Sequence, residues 1–179
     1  GAAGYALQFR LDTSPSDAEK HPLKLKDLII HDCDDEIAPV KMSWSGEKEY
    51  VIQDLQAGGF DGDYYRRAFF KSPEMSTYTT TVMWIDPSGK GTDETAYAVV
   101  RELHGMLYLV DVGGYTDGFS EATLTALAGK AARWKVNKIV IEKNYGGGMF
   151  DELLRPKLIS VRRNCIDEEF DTWSKTRKE

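Results

Sequence analysis

Three runs rich in β-branched and aromatic residues follow one another between Thr79 and Val112, and the connections between them are too short for anything but antiparallel neighbours. Residues 79–85 read as a strand closing on Asp86, residues 95–103 as a second strand and residues 106–112 as a third. Pro87-Ser88-Gly89-Lys90-Gly91 is turn chemistry, and His104-Gly105 makes a tight hairpin connection. Gly113-Gly114 is expected to break the third strand. Downstream, Leu124, Leu127, Ala128, Ala131 and Trp134 recur at helical spacing behind Ser120, a good N-cap. Ile139-Val140-Ile141 is a continuous apolar run and reads as a buried strand. Gly146-Gly147-Gly148 opens a second helix carrying Met149, Phe150, Leu153 and Leu154, which Pro156 is expected to end or kink. The order β-β-β-α-β-α predicts an α/β fold: a mixed sheet of three antiparallel meander strands and then a parallel crossover strand, flanked by helices.

The first 80 residues carry weaker signals. Ser16 with Glu19 resembles a capping box. Leu23, Leu25, Leu28, Ile29 and Ile30 form a short apolar segment, and residues 31–36 a charged loop. Tyr50-Val51-Ile52 is expected to be a short strand, and Gly58-Gly59-Phe60-Asp61-Gly62-Asp63 a turn.

At 179 residues, 41% apolar and 29% charged, the chain can build one ordinary core, which argues against wholesale disorder. No apolar run is long enough to cross a bilayer as a helix. The start at Gly1 shows neither a basic leader nor a long apolar stretch, so no signal peptide is expected, and the missing initiator Met points to a processed or excised piece. Cys33 and Cys165 are too few for a disulfide framework or a cysteine zinc site and read as reduced intracellular thiols. The net charge is −6, yet residues 130–163 hold nine Lys and Arg against three Asp and Glu. That stripe is either a solvated helix face or a local polyanion contact.

Asp86 and Glu142 are the informative pair. Each follows an apolar strand run, and parallel neighbouring strands would bring both carboxylates to one edge of the sheet, where open α/β sheets bind ligands. Crowded carboxylates repel, and a hard divalent cation removes that cost. Two-metal phosphodiester hydrolysis uses such a cluster, with ions roughly 4 Å apart. The plainer alternatives stand beside it: Asp86-Pro87-Ser88-Gly89 is also a good turn in which Asp caps its own backbone, and Glu142 can pair with Lys143. Gly89-Lys90-Gly91-Thr92 does not fit a phosphate-binding P-loop, and the glycine run at 146–148 lacks the dinucleotide pattern. That run can still cradle a DNA phosphate, with Lys143 nearby. His21, His31 and His104 lack zinc spacing, no nucleophile elbow exists, and Trp44, Trp84, Trp134 and Trp173 read as packing residues.

The run from Trp84 to Val99, Trp-Ile-Asp-Pro-Ser-Gly-Lys-Gly-Thr-Asp-Glu-Thr-Ala-Tyr-Ala-Val, resembles the first strand and turn of the nuclease domain in large terminase subunits of tailed phages. The type is that of the short-tailed phages, also called DNA maturase B. Residues 139–150 resemble the same family's second acidic strand and the loop after it. Residues 113–120, 7–9 and 16–20 fit as well, and the likeness is weakest between about 32 and 78.

The resemblance implies an RNase H-like fold and a metal-dependent endonuclease that cuts concatemeric double-stranded viral DNA during packaging, in the host cell cytoplasm, with the portal and small terminase subunit as partners and no membrane. Asp86 and Glu142 match two of the family's metal ligands, for two Mg²⁺ or Mn²⁺ ions. Asp93 is expected as an auxiliary acid, and Ser88, Asn144 and Lys143 as groups that orient ligand or phosphate. Arg155, Lys157, Arg162 and Arg163 are expected to track DNA. Residues 1–30 then lead out of a packaging ATPase domain that this chain does not contain, and residues 31–179 are the nuclease domain without its C-terminal element. The family's third acid is not matched after Glu142, since Asp167, Glu168, Glu169 and Asp171 do not fit the motif. The alternative is a non-catalytic RNase H-like docking module that contacts portal or partner subunits through the acidic first half.

Overall fold

In the computed structural model, residues 24–55, 64–88, 93–142 and 148–164 are described. Four short strands come first: β1 (Ile37–Pro39), β2 (Met42–Ser43), β3 (Phe70–Lys71) and β4 (Met75–Thr77). Residues 24–32, 41–55 and 64–73 belong to one compact unit. In it β2 pairs antiparallel with β3, Met42 opposite Lys71. Its organising side chain is Arg66, which is buried. The guanidinium donates to the carbonyls of Ser45 (2.9 Å), Gly46 (3.1 Å) and Glu47 (2.8 Å) and lies against the Trp44 and Tyr64 rings. Carbonyl dipoles and ring faces offset the loss of water around the charge. The strand expected at Tyr50–Val51–Ile52 does not form. A 3-10 turn, Lys48–Tyr50, ties the Val51 amide back to Lys48, and only an isolated bridge from Val51 to Arg66 remains.

The second unit holds residues 33–40 and everything described from 74 onward. β1 and β4 form a small antiparallel pair, Ile37 opposite Thr77. The main sheet has β5 (Thr80–Asp86), β6 (Thr95–Leu103), β7 (Met106–Tyr115) and β8 (Lys138–Ile141), in the order β7-β6-β5-β8. β5, β6 and β7 are antiparallel, and β8 returns parallel to β5. The crossover is α1 (Glu121–Arg133), and α2 (Met149–Asn164) follows β8. This is the mixed α/β meander-and-crossover sheet expected from the sequence. Ser120 caps α1 by accepting the Thr123 amide. Lys135 adopts the left-handed conformation and Val136 donates to Ala131, which closes the helix as a Schellman turn.

Both helices pack on one sheet face. Met83, Ile85, Tyr97 and Val99 meet Leu124, Leu127, Ala128, Ala131 and Trp134 of α1 and its end, and Phe150, Leu154 and Leu158 of α2. That stripe at 150, 154 and 158 runs straight past Pro156, so the proline does not end α2. Burial on both sides of it outweighs one lost backbone hydrogen bond.

Two other expectations are corrected. β7 continues through Gly113 and Gly114 to Tyr115. The glycines leave room for neighbours: a Cβ on Gly113 would meet the Tyr97 ring at 3.1 Å, and one on Gly114 would run into the end of the Glu94 side chain. β8 is only half-buried, because it is the edge of the sheet among the described residues and has a strand on one side only.

The opposite sheet face is open among the described residues. Trp84, Leu107, Leu109 and Val112 are exposed there, so Trp84 is no packing residue, and in the other unit Trp44 is exposed too. A β-bulge, with Val110 as the extra residue, shifts the register between Val99 and Val100. It turns Asp111 to the helix side, where the carboxylate accepts Lys130 Nζ (2.9 Å), Trp134 Nε1 (2.7 Å) and Tyr97 Oη (2.9 Å). Burial alone would raise the Asp111 carboxyl, but these three hydrogen bonds outweigh it and hold the group below the usual carboxylate range.

A lowered native pKa means that the stabilisation is complete above the ordinary carboxylate range and is lost as pH falls through the native value. Asp111→Asn is expected to cost about 2 kcal/mol at pH 7. Urea unfolding of both proteins should show that gap narrowing as pH drops from about 5 toward 2.

Candidate active site

The pairing of β8 with β5 is pinned at both ends. At one end the Thr81 amide donates to Asn137 Oδ1 (2.7 Å), and the Asn137 amide donates to the Thr81 carbonyl (2.8 Å). At the other, the Glu142 amide donates to the Ile85 carbonyl at 2.9 Å. Ile85 lies opposite Ile141, which makes Asp86 and Glu142 the next facing pair. Adjacent strands are about 4.8 Å apart, so the two residues are immediate neighbours at one sheet edge. The convergence expected from two strand ends is present.

Alternation puts both carboxylates on the open face, since Ile85 and Ile141 point to the core. There they line an open trough of about 430 Å³ floored by Trp84, Ala96, Ala98, Val112 and Val140. Asp86 and Glu142 are both exposed. Glu94, a residue the sequence reading did not single out, reaches over Gly114 at the same edge. The signal was Gly113-Gly114 itself, read as a strand break when it marks close approach. Asp93 is exposed beside it.

Behind Asp86 the chain is held by hydroxyls. Ser88 is buried, and its amide donates to Thr95 Oγ1 at 3.0 Å. The Ser88 and Thr95 hydroxyls are 3.3 Å apart, and Thr95 donates to the Gly118 carbonyl at 3.1 Å. Ser88 was expected to orient a ligand; its hydroxyl instead lies against Thr95.

Other expected groups separate from this edge. Arg155 is ion-paired with Asp151 (2.6 Å) one helical turn away. Lys157 is paired with Glu121 of α1, and this hydrogen bond holds the Glu121 carboxyl below its usual range. Arg162 and Arg163 lie in the last turn of α2. Lys143, Asn144 and the late acids at 167, 168, 169 and 171 fall outside the described residues, as do Gly89 to Thr92. His104 sits exposed at the hairpin tip with positive φ.

Asp86 and Glu142 offer hard oxygen donors to one open edge, chemistry that suits Mg²⁺ or Mn²⁺ better than a soft metal. Among the described residues no group of three His, Cys, Asp or Glu is placed to hold an ion. The two acids therefore fit part of a metal shell.

Comparison with known proteins agrees with this architecture. Residues 85–179 match the family described as Terminase Bacteriophage T7, Ribonuclease H-like domain. Over 168 residues the chain is 40% identical to the protein named "Terminase, large subunit" of Enterobacteria phage T3, covering 94% of this chain and 29% of that protein.

The two glycines behind the edge should respond differently to an added methyl. Tyr97 is stacked on Tyr115 and bonded to Asp111, so it cannot give way, and Gly113→Ala is expected to cost about 1–2 kcal/mol. At Gly114 the tightest neighbour is the far end of an exposed side chain, and Gly114→Ala should cost less than about 1 kcal/mol. Equilibrium unfolding of the two variants checks the contrast.

Proposed function

This chain belongs to the phage-T7-type terminase RNase H-like family, and from that membership we propose that it is the metal-dependent endonuclease part of a viral DNA-packaging terminase. Its substrate is concatemeric double-stranded DNA. Residues 1–30 lead out of a packaging ATPase, the portal and small subunit are the protein partners, and the host cytoplasm is the place of action. Residues 31–179 carry the nuclease.

The register of β5 against β8 carries the reading. A Glu142 amide bonded to the Ile85 carbonyl keeps two carboxylates side by side on an open, solvent-reached edge, as cleavage of a bulky duplex demands. Asp86 and Glu142 are the residues that would hold Mg²⁺ or Mn²⁺, which in a two-ion site supplies water activation and a clamp on the leaving oxygen. Glu94 and Asp93 at the same edge add negative charge that favours cation capture. The chain's own contribution is placement: the ladder fixes both backbones, and the trough floor of Trp84, Ala98, Val112 and Val140 keeps one side of the edge apolar.

DNA contact falls to the basic stripe between 130 and 163. With Arg155 and Lys157 already sharing their charge with Asp151 and Glu121, the stripe is weaker than its count suggests. Binding is therefore weak, sequence-independent and steeply salt-dependent.

The test is nicking of supercoiled plasmid with Mn²⁺, comparing the chain with Asp86→Ala and Glu142→Ala. Each substitution is expected to lower the rate at least about 100-fold, the scale on which loss of transition-state charge stabilisation is felt. Full activity in both removes these residues from the mechanism. No cleavage by the parent chain, together with no rise in its melting temperature on adding Mn²⁺, points instead to a docking module.

A further inference from the structure

We infer that Thr95 is a positioning residue for Asp86: its buried hydroxyl fixes the chain as it leaves β5, and so sets where the Asp86 carboxylate stands for a cation. The inference rests on the reading of Asp86 and Glu142 as cation ligands.

Asp86 is the last residue of β5, and its register with Ala96 is the last one in the β5·β6 ladder. Beyond it Pro87 and Ser88 leave the ladder, and both are buried. A strand end held from one side only can fray, and a ligand at that position would wander with it. Here the far side is held too. The Ser88 amide, two residues past Asp86, donates to Thr95 Oγ1 at 3.0 Å.

Thr95 starts β6 opposite Tyr115 and is completely buried. Its hydroxyl has one proton and two lone pairs, and every one of them has a partner in the protein. The proton goes to the Gly118 carbonyl at 3.1 Å. One lone pair takes the Ser88 amide, and the other faces the Ser88 hydroxyl at 3.3 Å. A single oxygen thus joins three chain segments: the exit of β5, the entry to β6, and the turn between β7 and α1. Gly118 has φ +53°, and Ser120, two residues on, caps α1, so the third segment is itself anchored to the helix.

The consequence is specific to the edge. Removing the hydroxyl while keeping the volume leaves the Ser88 amide and the Gly118 carbonyl buried without that partner. The cheapest relief is for Pro87 and Ser88 to swing outward toward water, which moves the Asp86 end of β5. Glu142 hangs on the Ile85 carbonyl, on the near side of Asp86, so a shift that begins at Ser88 and Pro87 reaches Asp86 before it reaches the bond that holds Glu142. The two carboxylates then no longer share one position, and ligand pairs tolerate displacements of only about 0.5 Å.

Binding of Mn²⁺ alone, followed by loss of the free-ion electron paramagnetic resonance signal at 10 °C, tests this on the full chain. The variants are Thr95→Val and Thr95→Ser, with Asp86→Asn as the control for the site. The parent chain should bind Mn²⁺. Thr95→Val should bind at least about tenfold more weakly at a temperature where circular dichroism shows it folded, and Thr95→Ser should bind within about twofold of the parent. Equal binding by parent and Thr95→Val overturns the positioning role even if the melting temperature falls, because a merely structural hydroxyl lowers stability without moving the affinity of the folded protein. Should Thr95→Val fail to fold, Ser88→Ala, which removes one hydroxyl from the junction and spares the amide bond, takes its place. Because that variant keeps the amide bond, Thr95→Cys is measured beside it, its thiol being a weak donor and acceptor: the cysteine variant is expected to bind at least about threefold more weakly than Ser88→Ala, and equal affinity of the cysteine variant and the parent overturns the role. Failure of the underlying reading looks different: the parent chain binds no Mn²⁺, or Asp86→Asn binds as the parent does.

Discussion

Four residue pairs of parallel ladder, Val82 with Lys138 through Ile85 with Ile141, decide both the core and the edge of this protein. Side chains alternate along a strand, so a slip of one residue would expose Ile139 and Ile141 and turn Glu142 to the helix side. The register that buries two isoleucines is therefore the one that sets Glu142 beside Asp86. So short a ladder needs help, and it has help at both ends from Asn137 and from the Glu142 amide. Stability and site geometry rest here on one alignment.

The sheet's two faces are treated unequally, and the bulge at Val110 is what keeps them so. Past it Leu109 and Val112 share the outer face although they are three apart, while Asp111 turns inward to three donors. Lys130 and Trp134 both belong to α1 or its end, and Tyr97 belongs to β6, so one carboxylate fastens the helix to two strands. The Lys130 ammonium, held above its usual range chiefly by the Asp111 hydrogen bond, stays charged throughout the physiological range. Nothing comparable fastens the outer face among the described residues. Its exposed Leu107, Leu109, Val112 and Trp84 form the apolar approach to the acidic edge.

Strand and helix positions after residue 78 were readable because the physics there is local. Alternation, a Ser120 cap and a hairpin turn at His104-Gly105 are each carried by residues close in sequence. The acidic pair was readable for the same reason, as each acid ends an apolar run. What escaped depended on residues far apart. Gly113-Gly114 reads as a break until Tyr97 and Glu94, some twenty residues earlier, come to lie over it. Pro156 reads as a stop or a kink until Phe150, Leu154 and Leu158 join the core and the helix runs on past it. Tyr50 to Ile52 reads as a strand until Arg66 is seen drawing the loop 45–47 around its guanidinium. Ser88 reads as a ligand group because nothing local says that Thr95 will take it. In each case a tertiary contact overrode a local propensity, worth at most about 1 kcal/mol for most of these residues and about 3 kcal/mol for the proline.

Asp111, Arg66 and Thr95 follow one rule. Each is a polar group held by three or more partners: Asp111 at the bulge by α1 and β6, Arg66 by the loop 45–47, and Thr95, where β5 hands over to β6, by the chain at Ser88 and at Gly118. Multiple partners make such a group costly to move, so it acts as a rivet. Asp86 and Glu142 are the opposite kind of polar residue. They are exposed, and their positions come from backbone amides and from neighbours two residues away. That division leaves the two acids on the exposed edge of the sheet, while the precision of the backbone beneath them is stored in groups that water does not reach.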